Sequence, residues 1–193
     1  DRLSLFLLRD HQVGGARVEV RFESSGRTVT MTGVVDWAGH AGDLDVVDAA
    51  ADPAAGTNAD DTDRYEVRFT ADHVYESLDD AEVDRLAAAG RPGVRWAVRA
   101  PSPSDDPLDR ILALLISFAA EQPDNPALLA GKGYTVASRE DDAGSAVTTY
   151  RSATDALYGV DDELGVLVRF QGVVAGIDEP VTVDLSDHGA HAV

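Results

Sequence analysis

Serine, aspartate, glutamate and histidine side chains are spread through the sequence, and their spacing decides which chemistry they could perform. Ser186, Asp187 and His188 are consecutive and represent the three residue types of a hydrolase triad. Because consecutive strand residues point to opposite faces of a sheet, these side chains cannot assemble as nucleophile, base and orienting acid. No Gly-x-Ser-x-Gly motif, Walker-type glycine loop or dinucleotide-binding fingerprint occurs in the chain. We therefore predict that the protein is not an enzyme and carries no cofactor.

The histidines could serve as zinc ligands, but none of them stands at a recognised ligand spacing. His188 and His191 are three residues apart beside a strand, where they would face opposite sides. The remaining three histidines are isolated in turn-like sequences: His11, His40 and His73. We predict no metal site, and a zinc site assembled from distant histidines is the alternative that stays open.

Acidic residues cluster where one element gives way to the next, at Asp79-Asp80, Asp105-Asp106, Asp141-Asp142 and Asp161-Asp162-Glu163. Helix capping and turn formation explain each cluster. Distant carboxylates that meet as an acid/base pair remain an alternative. A calcium loop through Asp60, Asp61 and Asp63 is another, although the sequence there lacks the glycine turn and closing glutamate of an EF-hand loop.

The charge balance excludes several classes of partner. Among 193 residues, 16 Lys and Arg face 35 Asp and Glu, which gives a net charge of −19. Neutralising phosphates requires a basic surface, so we predict no nucleic-acid binding and no electrostatic adsorption to anionic lipid. The absence of cysteine excludes disulfides and thiolate metal sites. The sequence shows no signal peptide and no membrane span, and we interpret it as a trimmed mature domain.

The segment from Asp106 to Glu121 reads as the helix around which the other elements are arranged. Asp106 is a suitable N-cap, and Pro107 occupies the first turn, where a helix tolerates proline. Apolar residues then recur at helical spacing over most of the circumference, which is typical of a helix buried on more than one side. Its length of about 16 residues is too short to span a bilayer.

Most of the remaining sequence predicts antiparallel strands, because apolar and polar residues alternate along it. The clearest examples are Val18 to Phe22, Val29 to Val35, Tyr65 to Phe69 and Val181 to Leu185. The pattern predicts eight to ten strands, with further ones at Leu44 to Val47, His73 to Leu78, Val94 to Val98, Tyr134 to Arg139, Ala146 to Ser152 and Leu164 to Val174.

The segments between the strands are short except for one. Residues 48–63 contain no periodicity and no large apolar side chain, and we predict a solvated loop there. Short helices are predicted at Leu3 to Leu8, where a strand is also possible, at Ala81 to Ala89 and around Asn125 to Leu129. With no long linker between strand pairs, we predict a single α+β domain over residues 1–193.

The apolar side chains of the central helix and of the strands can be buried in two ways. They can pack as a filled core, or they can leave open a gap between helix and sheet that takes an acyl chain. The cavity wall would then comprise the large apolar residues at helical or alternating spacing: Ile111, Leu112, Leu115, Phe118, Val20, Phe22, Met31 and Phe69.

Several segments resemble an actinobacterial family of envelope lipoproteins, the LppX/LprG type, which is structurally similar to the LolA and LolB carriers. The likeness covers residues 14 to 193. It rests on the helix that opens Asp-Pro-Leu, on NPALL at 125–129, on the strands YTVASRE, AVTTYRS and PVTVDLSDHGAHAV, and upstream on GRTVTMTGVVD and RPGVRWAVRA.

The resemblance implies a strongly curved antiparallel half-barrel sheet that cups a central helix. It also implies an export signal, a lipidated cysteine before Asp1, an extracytoplasmic location, and membrane attachment through that lipid anchor alone. The expected partner is a lipid or a lipoprotein acyl chain held between sheet and helix. The alternative function is an interaction or sensor domain with a filled core and no ligand.

Overall fold

The fold is α+β, with a large antiparallel sheet, as the alternating sequence patterns predict. The computed structural model describes residues 3, 5–50, 62–122, 133–142, 145–191 and 193. Over these residues the chain forms three helices, α1 Phe6–Val13, α2 Asp80–Ala88 and α3 Pro107–Ser117, and 11 strands. The strands are β1 Gly15–Ser24, β2 Arg27–Asp36, β3 Ala41–Ala50, β4 Thr62–Thr70, β5 Val74–Ser77, β6 Trp96–Arg99, β7 Thr135–Asp142, β8 Ser145–Arg151, β9 Leu157–Asp161, β10 Leu167–Gly172 and β11 Val181–Ser186.

All 11 strands belong to one sheet, in the order β6-β5-β4-β3-β2-β1-β11-β10-β9-β8-β7. Every neighbouring pair is antiparallel. The two strands of a pair are consecutive in sequence except for β1 and β11, whose register joins Val18 to Leu185 and Val20 to Val183. The chain therefore runs from β1 outward to one edge at β6. It then passes through α3 to the opposite edge at β7 and returns to β11. Helix α3 thus lies on the connection between the two edges of the sheet.

Helix α3 begins as the sequence predicts and ends earlier. The carboxylate of Asp106 accepts the backbone N–H of Leu108 at 2.9 Å, and Pro107 is the first helical residue. The predicted end at Glu121 is wrong, because the helix stops at Ser117. Phe118 and Ala119 donate to carbonyls three residues back at 3.4 Å, which tightens the last turn. The N–H of Ala120 bonds instead to the carbonyl of Leu7, in the first turn of α1, at 3.0 Å.

One face of the sheet and α3 share a single cluster of buried apolar side chains. Burial alternates along β1 and β11, as expected for strands with one face in the core. Trp37, which follows β2, is completely buried, and its indole N–H donates to the carbonyl of Leu115 at 2.9 Å. This bond ties the end of α3 to the sheet.

Three sequence predictions need correction. Strand β9 was not predicted, because Leu157–Asp161 is shielded on both faces and so lacks polar alternation. The predicted strand from Leu164 to Val174 is shorter, since β10 covers Leu167–Gly172 only. The predicted loop 48–63 is strand at both ends, where Asp48 pairs with Asp63 and Ala49 with Thr62. Its remaining residues, 51–61, and the predicted turn at 125–129 lie outside the described residues.

Candidate functional site

The eight residues predicted to form a cavity wall are all buried, and all belong to the same core cluster. They do not surround one common space. Phe69 and Leu112 line a cleft beside α3, Phe118 lines a second cleft, and Phe22 lines a third. The other four are completely buried at 0% exposure: Val20, Met31, Ile111 and Leu115. The centre of the predicted cavity is therefore filled by side chains.

The cleft beside α3, called the helix cleft here, is the most apolar concave feature among the clefts found. It has a volume of about 260 Å³ and lies between α3 and the turn that joins β4 to β5. Its lining comprises Phe69, Thr70, Ala71 and Val74 from the β4–β5 hairpin, Pro101 and Pro103 from the linker between β6 and α3, and Asp109, Leu112, Ala113 and Ile116 from α3.

Local hydrogen bonds shape the wall of the helix cleft formed by the β4–β5 hairpin. The hydroxyl of Thr70 accepts the backbone N–H groups of Asp72 and His73 at 3.3 and 3.2 Å, and the N–H of Thr70 donates to the carbonyl of His73 at 2.8 Å. This tight turn sets Phe69 opposite Val74 in the ladder. Both side chains therefore point into the space beside α3.

A buried ion pair lies at the inner end of the helix cleft. Asp109 is 1% exposed and receives both terminal nitrogens of Arg99, at 2.5 and 2.9 Å, and the N–H of Ser102 at 2.5 Å. Burial raises the pKa of Asp109, but the hydrogen bonds from Arg99 and Ser102 lower it further, so the pKa lies below its usual value. The same hydrogen bond raises the pKa of Arg99 above its usual value. Both groups are charged near neutral pH.

Further carboxylates surround this pair. The Nε of Arg99 contacts Glu76 at 2.8 Å, and one terminal nitrogen contacts Asp106 at 3.1 Å. Arg110, also on α3, donates to the carbonyls of Pro103, at 2.7 Å, and of Ser104 and Ala175. Every nitrogen of these two guanidinium groups therefore has at least one protein acceptor.

A second, smaller apolar feature, the aromatic cleft, lies between α1 and the end of α3. Its volume is about 150 Å³, and its lining is Leu3, Phe6, Leu7, Leu114, Ser117, Phe118, Tyr134 and Tyr158. The rings of Tyr158 and Phe170 are 5.3 Å apart, and so are those of Phe118 and Phe170. Burial, and then the neighbouring Tyr134, raise the pKa of the Tyr158 hydroxyl to about 12.

Two other clefts lie elsewhere on the sheet and have polar linings. One, of about 500 Å³, includes Thr32, Asp45, Glu66 and Ser77. The register places Thr32, Asp45 and Glu66 side by side on three adjacent strands. The other, of about 360 Å³, includes Arg21, Glu23 and Gln171 beside Phe22. Neither offers a continuous apolar wall.

Several of the residues with catalytic or metal-binding chemistry make structural contacts. The ring nitrogen Nε2 of His188 lies 2.8 Å from the carbonyl oxygen of Leu167, and that of His191 lies 2.8 Å from the carbonyl oxygen of Asp187. Asp79 and Asp106 cap α2 and α3, as the sequence predicts. Within the described part of the chain, no group of three or more His, Asp and Glu side chains could hold a metal ion.

Sequence reasoning missed most of the helix cleft. The sequence patterns place Val74, Pro101 and Ile116 in a strand, a linker and a helix, but they do not place these residues in the predicted cavity wall. The patterns also do not predict the Arg99–Asp109 pair. A signal for it exists: Asp109 lies one turn before Leu112 on an otherwise apolar helix face, and an acid in such a position requires a buried partner.

No protein-family model matches the chain, and no curated protein matches its sequence. No helix over the described residues is long and apolar enough to cross a membrane.

Proposed function

We propose that this chain is a non-catalytic binding domain that holds an acyl chain, or a lipid tail of similar shape, in the helix cleft. The observation that carries the proposal is the composition of that cleft: eight of its ten lining residues are Phe, Val, Leu, Ile, Pro or Ala from three different segments. Ligand sites of this kind are concave and mostly apolar, with few polar groups. Asp109, the one charged lining residue, is already paired with Arg99.

The proposal includes a curved half-barrel sheet of the LppX/LprG and LolA type. Distances across the sheet support it. Leu112 shares the helix cleft with Val74 of β5, while the ring of Phe118 lies 5.3 Å from Phe170 of β10. Six strand intervals separate β5 from β10, which is roughly 29 Å in a flat sheet. Leu112 and Phe118 are only roughly 9 Å apart along a helix axis, so one short helix reaches both strands most easily if the sheet bends around it.

The proposal also includes an envelope location, with an export signal and a lipidated cysteine upstream of Asp1. Its support is the sequence resemblance to the LppX/LprG family over residues 14 to 193. A lipid anchor would place the helix cleft within reach of a membrane without a spanning helix.

A second candidate function is an interaction or sensor domain without a ligand. The complete burial of Val20, Met31, Ile111 and Leu115 favours it, because these side chains fill the space that a central lipid cavity would need. The two candidates differ in whether the helix cleft is occupied by a ligand in the purified protein.

The first test is extraction of the purified protein into organic solvent, followed by mass spectrometry, for wild type and for Ala113→Trp. Ala113 is exposed and lines the helix cleft, so an indole there should fill the cleft without entering the packed core. The matched control is Ala87→Trp, at an exposed alanine of α2 away from the cleft. We expect bound lipid in wild type and in Ala87→Trp, and a loss of at least about tenfold in Ala113→Trp.

The melting temperature of each variant separates ligand loss from unfolding. Both tryptophan variants should melt within a few degrees of wild type. Absence of lipid from wild type, together with failure to take up an added alkyl ligand, would reject the carrier and leave the filled-core domain.

A further inference from the structure

We infer that the helix cleft takes a single alkyl chain of about ten carbons with a cationic or neutral head group, and discriminates against fatty-acid anions. This inference rests on the proposed function, since it names the ligand class for the same cleft. Two features carry it: the volume of the cleft and the charges at its inner end and rim.

The volume sets the length of the chain. A cavity of about 150 Å³ lined by apolar side chains accepts one benzene ring, so the 260 Å³ of the helix cleft corresponds to roughly ten carbon atoms. The cleft cannot lengthen into the core, because Ile111 and Leu115, next to Leu112 and Ile116 on α3, are completely buried. A longer tail would leave its additional carbons in water.

The charges set the head group. Four carboxylates lie around the inner end and the linker: Glu76, Asp105, Asp106 and Asp109. The guanidinium groups among them are those of Arg99 and Arg110, which leaves a local excess of two negative charges, 4 − 2. Asp72 follows the lining residue Ala71 in the opposite wall and adds a negative charge near the cleft, although neither Asp72 nor the adjacent His73 lines it.

Both arginines already have protein acceptors at every guanidinium nitrogen. Every nitrogen of the Arg99 guanidinium contacts a carboxylate, from Glu76, Asp106 or Asp109. Arg110 is bonded to three backbone carbonyls. A carboxylate or phosphate head would meet an excess of negative charge, which is unfavourable at short range, whereas an ammonium head would be attracted.

The experiment is isothermal titration calorimetry of the full chain with two ligands of equal tail length, n-decyltrimethylammonium and n-decanoate, at pH 7.5. All ligands are kept below the concentrations at which they form micelles. Sodium chloride at 150 mM limits non-specific attraction to the chain of net charge −19. Tetramethylammonium reports binding of the head group alone. Ala113→Trp blocks the cleft, and Ala87→Trp is its matched control.

We expect the decyl cation to bind wild type and Ala87→Trp at least about tenfold more tightly than decanoate, and to lose this binding in Ala113→Trp. Affinity should rise from hexyl to decyl chains and not beyond. The double variant Glu76→Gln/Asp106→Asn keeps a side-chain oxygen at the α3 cap. In this variant the ratio of the affinity for the decyl cation to that for decanoate should be smaller than in wild type.

The outcomes separate this inference from the proposed function. Equal or tighter binding of decanoate at the cleft would overturn the head-group preference and leave the binding domain standing. Continued gain in affinity from decyl to tetradecyl chains would overturn the length limit. Binding of the cation that persists in Ala113→Trp, or that tetramethylammonium reproduces, would mean surface adsorption and reject the inferred site. If no alkyl ligand binds and no lipid is extracted, the proposed function itself fails.

Discussion

At the scale of single residues, the carboxyl of Asp10 is a buried acid that the proposed function does not use. It is completely buried in α1 and accepts the N–H of Leu167 at 3.1 Å. Burial raises its pKa to about 9, and the hydrogen bond from Leu167 offsets only part of that rise. The group is therefore protonated in the folded protein near neutral pH, while it is ionised in the unfolded chain.

This difference predicts a pH dependence of stability. Between pH 4 and 9 the folded state binds a proton that the unfolded state has released, so the free energy of unfolding should fall as pH rises, by up to about 1.4 kcal/mol per pH unit. Asp10→Asn removes the titration and keeps an oxygen that can accept the Leu167 N–H. We expect its stability to exceed that of wild type increasingly from pH 5 to pH 8, measured by urea unfolding.

The matched control for this prediction is Asp84→Asn, an exposed acid on α2, whose stability curve should run parallel to that of wild type. Parallel curves for Asp10→Asn and wild type would contradict the predicted perturbation of the Asp10 carboxyl.

The same scale shows what sequence reasoning can and cannot reach. Alternation in β1 correctly predicts that Val20 and Phe22 face the core, because burial follows strand periodicity. It cannot tell that Val20 is completely packed while Phe22 borders a cleft, because that depends on side chains from other elements. The eight predicted wall residues are therefore core residues, and only some of them border open space.

At the scale of elements, the Arg99–Asp109 pair fastens the edge strand β6 to α3. Strand β6 has only four residues and a partner on one side, β5, so its ladder alone holds it weakly. Of the three carboxylates that Arg99 contacts, Asp109 is the fully buried one and the one that binds both terminal nitrogens, so its loss removes the buried contact between β6 and α3. The pair thus decides how firmly one wall of the helix cleft is held.

We predict that Asp109→Asn lowers the free energy of unfolding by about 2–4 kcal/mol. Amide hydrogen exchange should accelerate in β5 and β6 and remain unchanged in β9 and β10, because the broken contact is local to one edge. Asp155→Asn, at an exposed acid that pairs with Arg151, is the control and should leave both measurements unchanged. Uniform acceleration across the sheet would show that the pair supports the whole fold instead of one edge.

The limits of prediction also appear among the elements. The N-terminus of α3 is predicted correctly and that of α2 to within one residue, because capping by Asp106 and by an acid of the pair Asp79-Asp80 is local chemistry. The early end of α3 is not predictable locally, since it depends on the bond from Ala120 to Leu7, more than a hundred residues away in sequence. The sequence does not predict β9, because a strand covered on both faces shows no alternation of apolar and polar residues.

At the scale of the whole molecule, the pairing of β1 with β11 joins two meanders into one sheet. Strands β1 to β6 form one meander and β7 to β11 the other, and among the described strands only β1 and β11 pair between them. The sequence predicts the hairpins, because their turns are short, but it does not specify this long-range pairing. That pairing brings β4 and β10 to one core together with α3.

The net charge of −19 acts on the molecule as a whole. The 35 acidic residues exceed the 16 Lys and Arg residues by 35 − 16 = 19, so the cations cannot neutralise the negative charge however they are shared. The ion pairs of the exposed sheet face, such as Arg68 with Asp43 and Arg169 with Asp184, are partly solvated and contribute little each. Mutual repulsion among the excess carboxylates therefore opposes the compact state. At 0.1–0.15 M salt, this repulsion is largely screened beyond a Debye length of about 8–10 Å.

We predict that the free energy of unfolding rises by about 1–2 kcal/mol between 20 mM and 500 mM sodium chloride at pH 7, because repulsion across the acidic surface is screened while the core cluster is unaffected. Urea unfolding at both salt concentrations, with an unchanged dependence on urea, would measure it. The matched control is a triple variant that replaces three α2 acids with their amides, Asp80→Asn and Asp84→Asn at exposed positions and Glu82→Gln at a half-buried one, in which the gain from salt should shrink. If stability fell as salt was added, attraction within the surface ion pairs would outweigh the repulsion among carboxylates. The prediction would then be wrong.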